Sequence, residues 1–146
     1  MSLTMTVAER EAFLAGVHVA VLGVERPDRA PLAVPVWYRY SPGSTVGIIT
    51  SPTSRKGRLI AEAGRFTLCV QSEVAPYRYV TVEGPVESTI APVPPDERRA
   101  QAHRYLGQEF GDLYFDATAA DSEGDVMILM RPETWLTTDY AKFLGE

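Results

Sequence analysis

GIITSPTSRKGRLIAEAGRFTLCV, residues 47–70, changes its hydrophobic period twice, and that change decides the fold class. The apolar run over 45–50 reads as a strand. Leu59, Ile60 and Ala63 then recur at helical spacing and stop at Gly64, the residue type that most easily takes the left-handed turn after a helix. Residues 65–71 alternate apolar and polar, which is the strand period again. A strand, a short crossover helix and a strand therefore follow one another.

Working upstream, Thr6 with Glu9 three residues later forms a capping box, and Gly16 supplies a stop, so a short helix opens the chain. Residues 17–24 and 32–40 read as a hairpin around the turn RPDRAP, and 41–44 as a second turn. Downstream, residues 77–90 are long enough to serve two faces of a barrel, with a bend at Gly84 and Pro85. Pro92, Pro94 and Pro95 make a rigid joint before a helix over 96–106, whose first turn is acidic as the helix dipole prefers. Residues 107–123 show weak periodicity and read as a loop; 125–131 and 134–140 are two closing strands around Pro132. Six to seven antiparallel strands with short flanking helices predict a mainly β, closed or nearly closed barrel. So small a barrel fills its own interior, so a bulky ligand belongs on its outer surface or at a subunit interface.

The chain of 146 residues predicts one domain over 5–145, with 1–4 a leader and disordered N-terminus and Glu146 a similar addition. A net charge of −5 and a pI near 5.1 argue against nucleic-acid binding. The single Cys69 excludes an internal disulfide and cysteine-based metal spacing, and reads as an unreactive core residue in a reducing, cytoplasmic setting. No apolar run approaches the ~20 residues of a membrane span. His18 and His103 are too few and too far apart for a metal site. G-x-S-x-G, H-E-x-x-H and Walker patterns are absent, and Asp121, Glu123 and Asp125 read as solvated loop acids.

The chemistry concentrates at Ser54-Arg55-Lys56-Gly57-Arg58, three cations in the first turn of the crossover helix. That end of a helix carries partial positive charge and unpaired N–H groups, so each cation there loses a few tenths to ~1 kcal/mol unless an anion is present. With Ser54 as cap and Gly57 permitting close approach, the turn is suited to a phosphate. A solvated basic turn is the other reading of the same residues. Trp37-Tyr38-Arg39-Tyr40 and Tyr77-Arg78-Tyr79 lie on strands that a meander brings together, where their rings either stack a planar ligand or fill core and interface. No acid–base or nucleophile constellation accompanies them, which suits a site whose chemistry belongs to a bound cofactor.

These landmarks, with LAVPVWYRY at 32–40 and YRYVTVEGPVE at 77–87, make the sequence resemble the pyridoxamine 5′-phosphate oxidase-like split-barrel superfamily over nearly its whole length. The resemblance implies a Greek-key split β-barrel forming a homodimer with cofactor sites at the subunit interface, residues near Trp135 of the second subunit completing each. It also implies that Arg55 and Lys56 hold the phosphate, flanked by Thr50 and Ser51; that the backbone of Pro35, Val36 and Trp37 lines the ring; and that Tyr79 lies beside it. The tail RPETWLTTDYAKFLGE lacks the Trp- and Arg-bearing ending of true pyridoxamine phosphate oxidases and looks like the F420 (deazaflavin)-dependent branch. The expected function is therefore hydride transfer from F420 to an unsaturated or heteroaromatic small molecule, with Arg58 and Arg78 available to the anionic tail of F420. An FMN enzyme is the alternative; a non-enzymatic carrier and a haem protein on the same fold are the readings outside catalysis.

Overall fold

The computed structural model describes residues 2–145; Met1 and Glu146, assigned from sequence to the leader and the added C-terminus, lie outside them. At the N-terminus the Leu3 carbonyl accepts the Asp139 N–H at 2.8 Å. Helix α1 (Val7–Ala15) starts where its capping box dictates: Thr6 Oγ1 accepts the Glu9 N–H at 3.1 Å, and Glu9 Oε1 accepts the Thr6 N–H at 2.8 Å. Its Phe13 and Leu14 are buried against the sheet.

Seven strands follow: β1 (Ala20–Val24), β2 (Leu32–Val36), β3 (Val46–Thr50), β4 (Arg65–Gln71), β5 (Arg78–Ile90), β6 (Val126–Met130) and β7 (Thr134–Asp139). They pair in the order β2-β1-β4-β5-β6-β3, all antiparallel, with β7 added to β5. Strand β5 pairs β4 and β7 through its first half and β6 through its second, with a register shift between Val86 and Ser88. Gly84 and Pro85, where a bend is expected from sequence, stay in register with Phe66 and Arg65, and the irregularity falls just beyond them; glycine is required at 84 by close approach, because a Cβ there would lie 1.7 Å from the Arg131 carbonyl oxygen. An Arg39–Gly47 bridge, with bonds of 2.9 and 3.0 Å, ties the chain beyond β2 to β3. Past that bridge the two strands part, and the barrel is split there.

The inner face packs Leu22, Ile48, Leu68, Val80 and Met130, each such side chain contributing roughly 2 kcal/mol by leaving water. Tyr38, fully buried, donates its hydroxyl to the Leu14 carbonyl at 2.6 Å. The expected strand over 32–40 ends at Val36, where its pairing with β1 stops at Ala20; Tyr38 and Tyr40 keep the inward alternation, but the Tyr38 N–H goes to the Tyr105 hydroxyl at 3.1 Å instead of to a strand. Residues 17–19 likewise stay outside β1.

Between β3 and β4 runs α2 (Arg55–Ala63), capped by Ser54 and stopped by Gly64 at φ 73°. Between β5 and β6 lie α3 (Pro95–Leu106) and α4 (Gln108–Ala117), so the loop expected over 107–123 is corrected to a helix followed by turns. The physical reason is that α4 folds onto its neighbour rather than onto the barrel core. Gly111 sits against Ala102, Asp112 accepts from His103 and Arg99 at 2.6 Å, and Phe110 and Leu113 stay exposed. No helix among the described residues is long and apolar enough to cross a membrane.

Candidate functional site

Strand β3 delivers the chain to a tight turn at 51–54 whose hydroxyls are mutually engaged. Ser54 Oγ donates to the Ser51 carbonyl at 2.6 Å and accepts the Gly57 N–H at 3.1 Å. With its one proton spent, Ser54 must accept from Thr50 Oγ1 across their 2.9 Å contact, so Thr50 braces the turn from beneath. Ser51 Oγ accepts the Thr53 N–H at 3.2 Å. Gly57 is forced: a Cβ there would lie 2.3 Å from the Ser51 carbonyl oxygen. The Gly57 N–H is capped and the Arg58 N–H bonds Ser54 O, which leaves the N–H groups of Arg55 and Lys56 without partners among the described residues. No acid stands in this first turn.

Above the turn, in the split between β2 and β3, opens a cavity of about 300 Å³. It brings Lys56 together with Pro35, Val36 and Trp37; Ile49 lines its β3 side, and Gln101 and Tyr114 reach in from the α3–α4 hairpin. Trp37 is stacked on Tyr105 at 4.8 Å and 3°, and Tyr105 donates its hydroxyl to the His18 carbonyl at 2.7 Å while accepting the Tyr38 N–H at 3.1 Å. The hairpin thus fixes the ring that walls the cavity. Arg55 and Arg58 are exposed on α2. Arg26, in the turn between β1 and β2, has its pKa lowered by desolvation and then by the like charges of Arg29 and Arg55, so the basic surface extends beyond α2.

Not every expected neighbour arrives. Strands β1 and β4 stand between β2 and β5, so the two aromatic stretches do not meet in a meander. Tyr79 faces outward opposite Gln71 and Thr138, away from Lys56 within this chain. Arg78 lies over the Phe13 ring at 4.8 Å rather than at the α2 turn. Among the described residues no three metal-ligating side chains cluster.

One residue was misread from sequence. Asp125, which the sequence alone presents as a solvated loop acid, lines a chamber adjoining the cavity, and desolvation raises its pKa against the opposing pull of Arg98 and Lys56. What would have found it is the pairing of β3 with β6, which sets Val126 opposite Thr50 and so puts Asp125 beside the Ser51 turn.

The family described as pyridoxamine 5′-phosphate oxidase matches residues 6–139. No curated protein matches the chain. Among solved structures, an F420 reductase superposes with a TM-score of 0.63 at 23% identity, covering 86% of this chain and 94% of that one. A conserved hypothetical protein from Mycobacterium tuberculosis gives 0.76 at 18% identity, covering 99% and 91%. The FAD and haem binding protein from Mycobacterium smegmatis gives 0.60 at 17% identity, covering 93% and 71%. All three share the fold.

Proposed function

The chain belongs to the pyridoxamine 5′-phosphate oxidase family, and from that premise we propose that it is an oxidoreductase holding F420 in the split between β2 and β3. The observation that carries the reading is the first turn of α2: two unpartnered N–H groups, no acid, and Arg55 and Lys56 beside them. Such a turn binds a phosphate through backbone N–H groups and charge together. Lys56 also faces the cavity where the backbone of residues 35–37 offers a flat wall, so phosphate and ring are held from one end of β3. Trp37, held by Tyr105, and Tyr114 narrow that cavity and exclude water from the ring.

Bound there, the deazaflavin supplies the hydride chemistry, and the substrate is an unsaturated or heteroaromatic small molecule. Arg26 and Arg29, adjoining Arg55, favour F420 over FMN, because its anionic tail needs cations beyond those that meet one phosphate. FMN remains the alternative cofactor. In the same reading a second copy covers the outer face of the sheet, where pairing sets Pro35, Val21, Cys69, Thr81 and Leu136 in one row. Leu136 is 62% exposed and Val19 58%, a poor use of large apolar side chains in a lone chain. A two-fold pair on that face brings Tyr79 toward the other copy's cavity.

The test is titration of the purified protein with F420 and with FMN, followed by tryptophan fluorescence, with sedimentation alongside. Saturable F420 binding tighter than FMN, on a dimer, is expected. FMN binding tighter than F420 moves the protein to the flavin branch, binding of neither overturns the proposal, and a monomer removes the shared site.

A further inference from the structure

The cavity has a side chamber of about 90 Å³ behind Trp37, beneath the α3–α4 hairpin, with Ile49, Gln101 and Tyr114 common to both spaces. Its polar lining includes Arg98, Ser122 and Asp125. Arg98 is anchored within the hairpin through two of its five N–H groups. Its Nη1 donates to Thr118 Oγ1 and its Nη2 to the Phe115 carbonyl, both at 3.1 Å, and its guanidinium lies 3.8 Å over the Phe115 ring.

Asp125 is the opposite case. Its backbone is pinned at both ends, the N–H bonding the Ser122 carbonyl and the carbonyl accepting the Val93 N–H, each at 3.0 Å. Its carboxylate accepts no hydrogen bond from the described residues, although it is partly withdrawn from water and its pKa is raised by that desolvation. A carboxylate in that condition calls for hydrogen-bond donors. Lys56 and Arg98 already supply positive charge around it, so a third cation is disfavoured and neutral hydroxyls suit it best.

Position then selects the ligand. One step past the last β3–β6 pair, Thr50 opposite Val126, stand Ser51 and Asp125, so the carboxylate sits beside the phosphate turn, while the chamber ends against Trp37 at the ring wall. F420 and FMN both join ring to phosphate through a polyhydroxyl chain. We propose that Asp125, with Gln101 beside it, accepts hydrogen bonds from the hydroxyls of that linker and so sets the distance between the phosphate turn and the ring wall. The inference rests on the cofactor reading above.

Three ligands separate it from that reading: lumiflavin, which is ring alone; riboflavin, ring and linker; and FMN, ring, linker and phosphate. Their deazaflavin counterparts serve in parallel. Asp125→Ala is expected to weaken riboflavin and FMN by roughly ten- to a hundredfold and to leave lumiflavin unchanged, as loss of hydrogen bonds to a charged acceptor implies. Asp125→Asn, which keeps one acceptor oxygen, is expected to lose less, and Gln101→Ala less again. Unchanged lumiflavin affinity also certifies that each variant folds. Riboflavin affinity equal to wild type in Asp125→Ala, or an equal loss for lumiflavin, overturns the inference and leaves the cofactor reading intact. Failure of the wild type to bind FMN or F420 overturns both.

Discussion

Helices α1 and α2 begin alike and end up with opposite electrostatics. Each is capped by a hydroxyl residue, Thr6 or Ser54, that accepts the N–H three positions on, at 3.1 Å in both. In α1 that third position is Glu9, whose carboxylate closes the capping box and also accepts from Lys142 at 2.9 Å. In α2 it is Gly57, with Arg55 and Lys56 before it and Arg58 after. The first helix carries its anion within the chain; the second carries cations where the dipole wants an anion. The difference is steric in origin. The turn that brings Ser51 back over α2 leaves no room for a Cβ at 57, so no side-chain carboxylate can close the box there, and in the proposed reading a bound anion takes its place.

The sharpest way to break the comparison is Gly57→Glu, which writes the α1 arrangement into α2. The Cβ, 2.3 Å from the Ser51 carbonyl, is expected to open the turn, lowering stability by roughly 2–3 kcal/mol in urea unfolding and abolishing cofactor binding. A variant as stable as wild type would show that charge alone, not space, separates the two helices. Next in size is Arg55→Glu, which places an acid at the first helical position without touching the turn. Here the two readouts are expected to move in opposite directions. Ligand-free Tm rises by about 2–4 °C, corresponding to ~0.5–1 kcal/mol at the helix dipole, while F420 and FMN bind at least tenfold more weakly. A fall in Tm with unchanged binding would assign Arg55 to the fold instead.

What was legible in the sequence follows the same division between local and long-range causes. The capping box of α1, the Ser54 cap and the Gly64 stop each depend on a few neighbouring residues, and all stand where the sequence put them. Helix α4 was missed because Phe110 and Leu113, which carry its periodicity, are not buried in the barrel core, and its stability comes from Gly111 and Asp112 against α3. Trp37 was singled out, but its stacking on Tyr105 joins positions far apart in the chain. Tyr79 was grouped with residues 35–37 because sequence does not show that β1 and β4 stand between them. Asp125 was discounted for the corresponding reason: only the pairing of β3 with β6 brings it to the Ser51 turn.

The smallest effect is the most specific to α1. Glu9 has its pKa lowered to about 2, first by the backbone hydrogen bond from Thr6 and then by Lys142. Because the folded value lies below the unfolded one near 4.5, the charged carboxylate stabilises the fold above pH 4.5, and that contribution is lost as pH falls toward 2. Glu9→Gln keeps an acceptor oxygen for the Thr6 N–H but loses the charge. It is expected to melt slightly below wild type at pH 7 and to converge with it as pH falls toward 2. A constant offset across that range would mean that shape, not charge, is what Glu9 contributes. Helix α2 has no carboxylate at that place to protonate, so its first turn is expected to answer to anion concentration instead. Inorganic phosphate at pH 7 should raise the Tm of wild type and raise that of Arg55→Glu less, whereas Glu9→Gln should respond as wild type does. An equal response in all three proteins would place the anion elsewhere and end the distinction between the two helices.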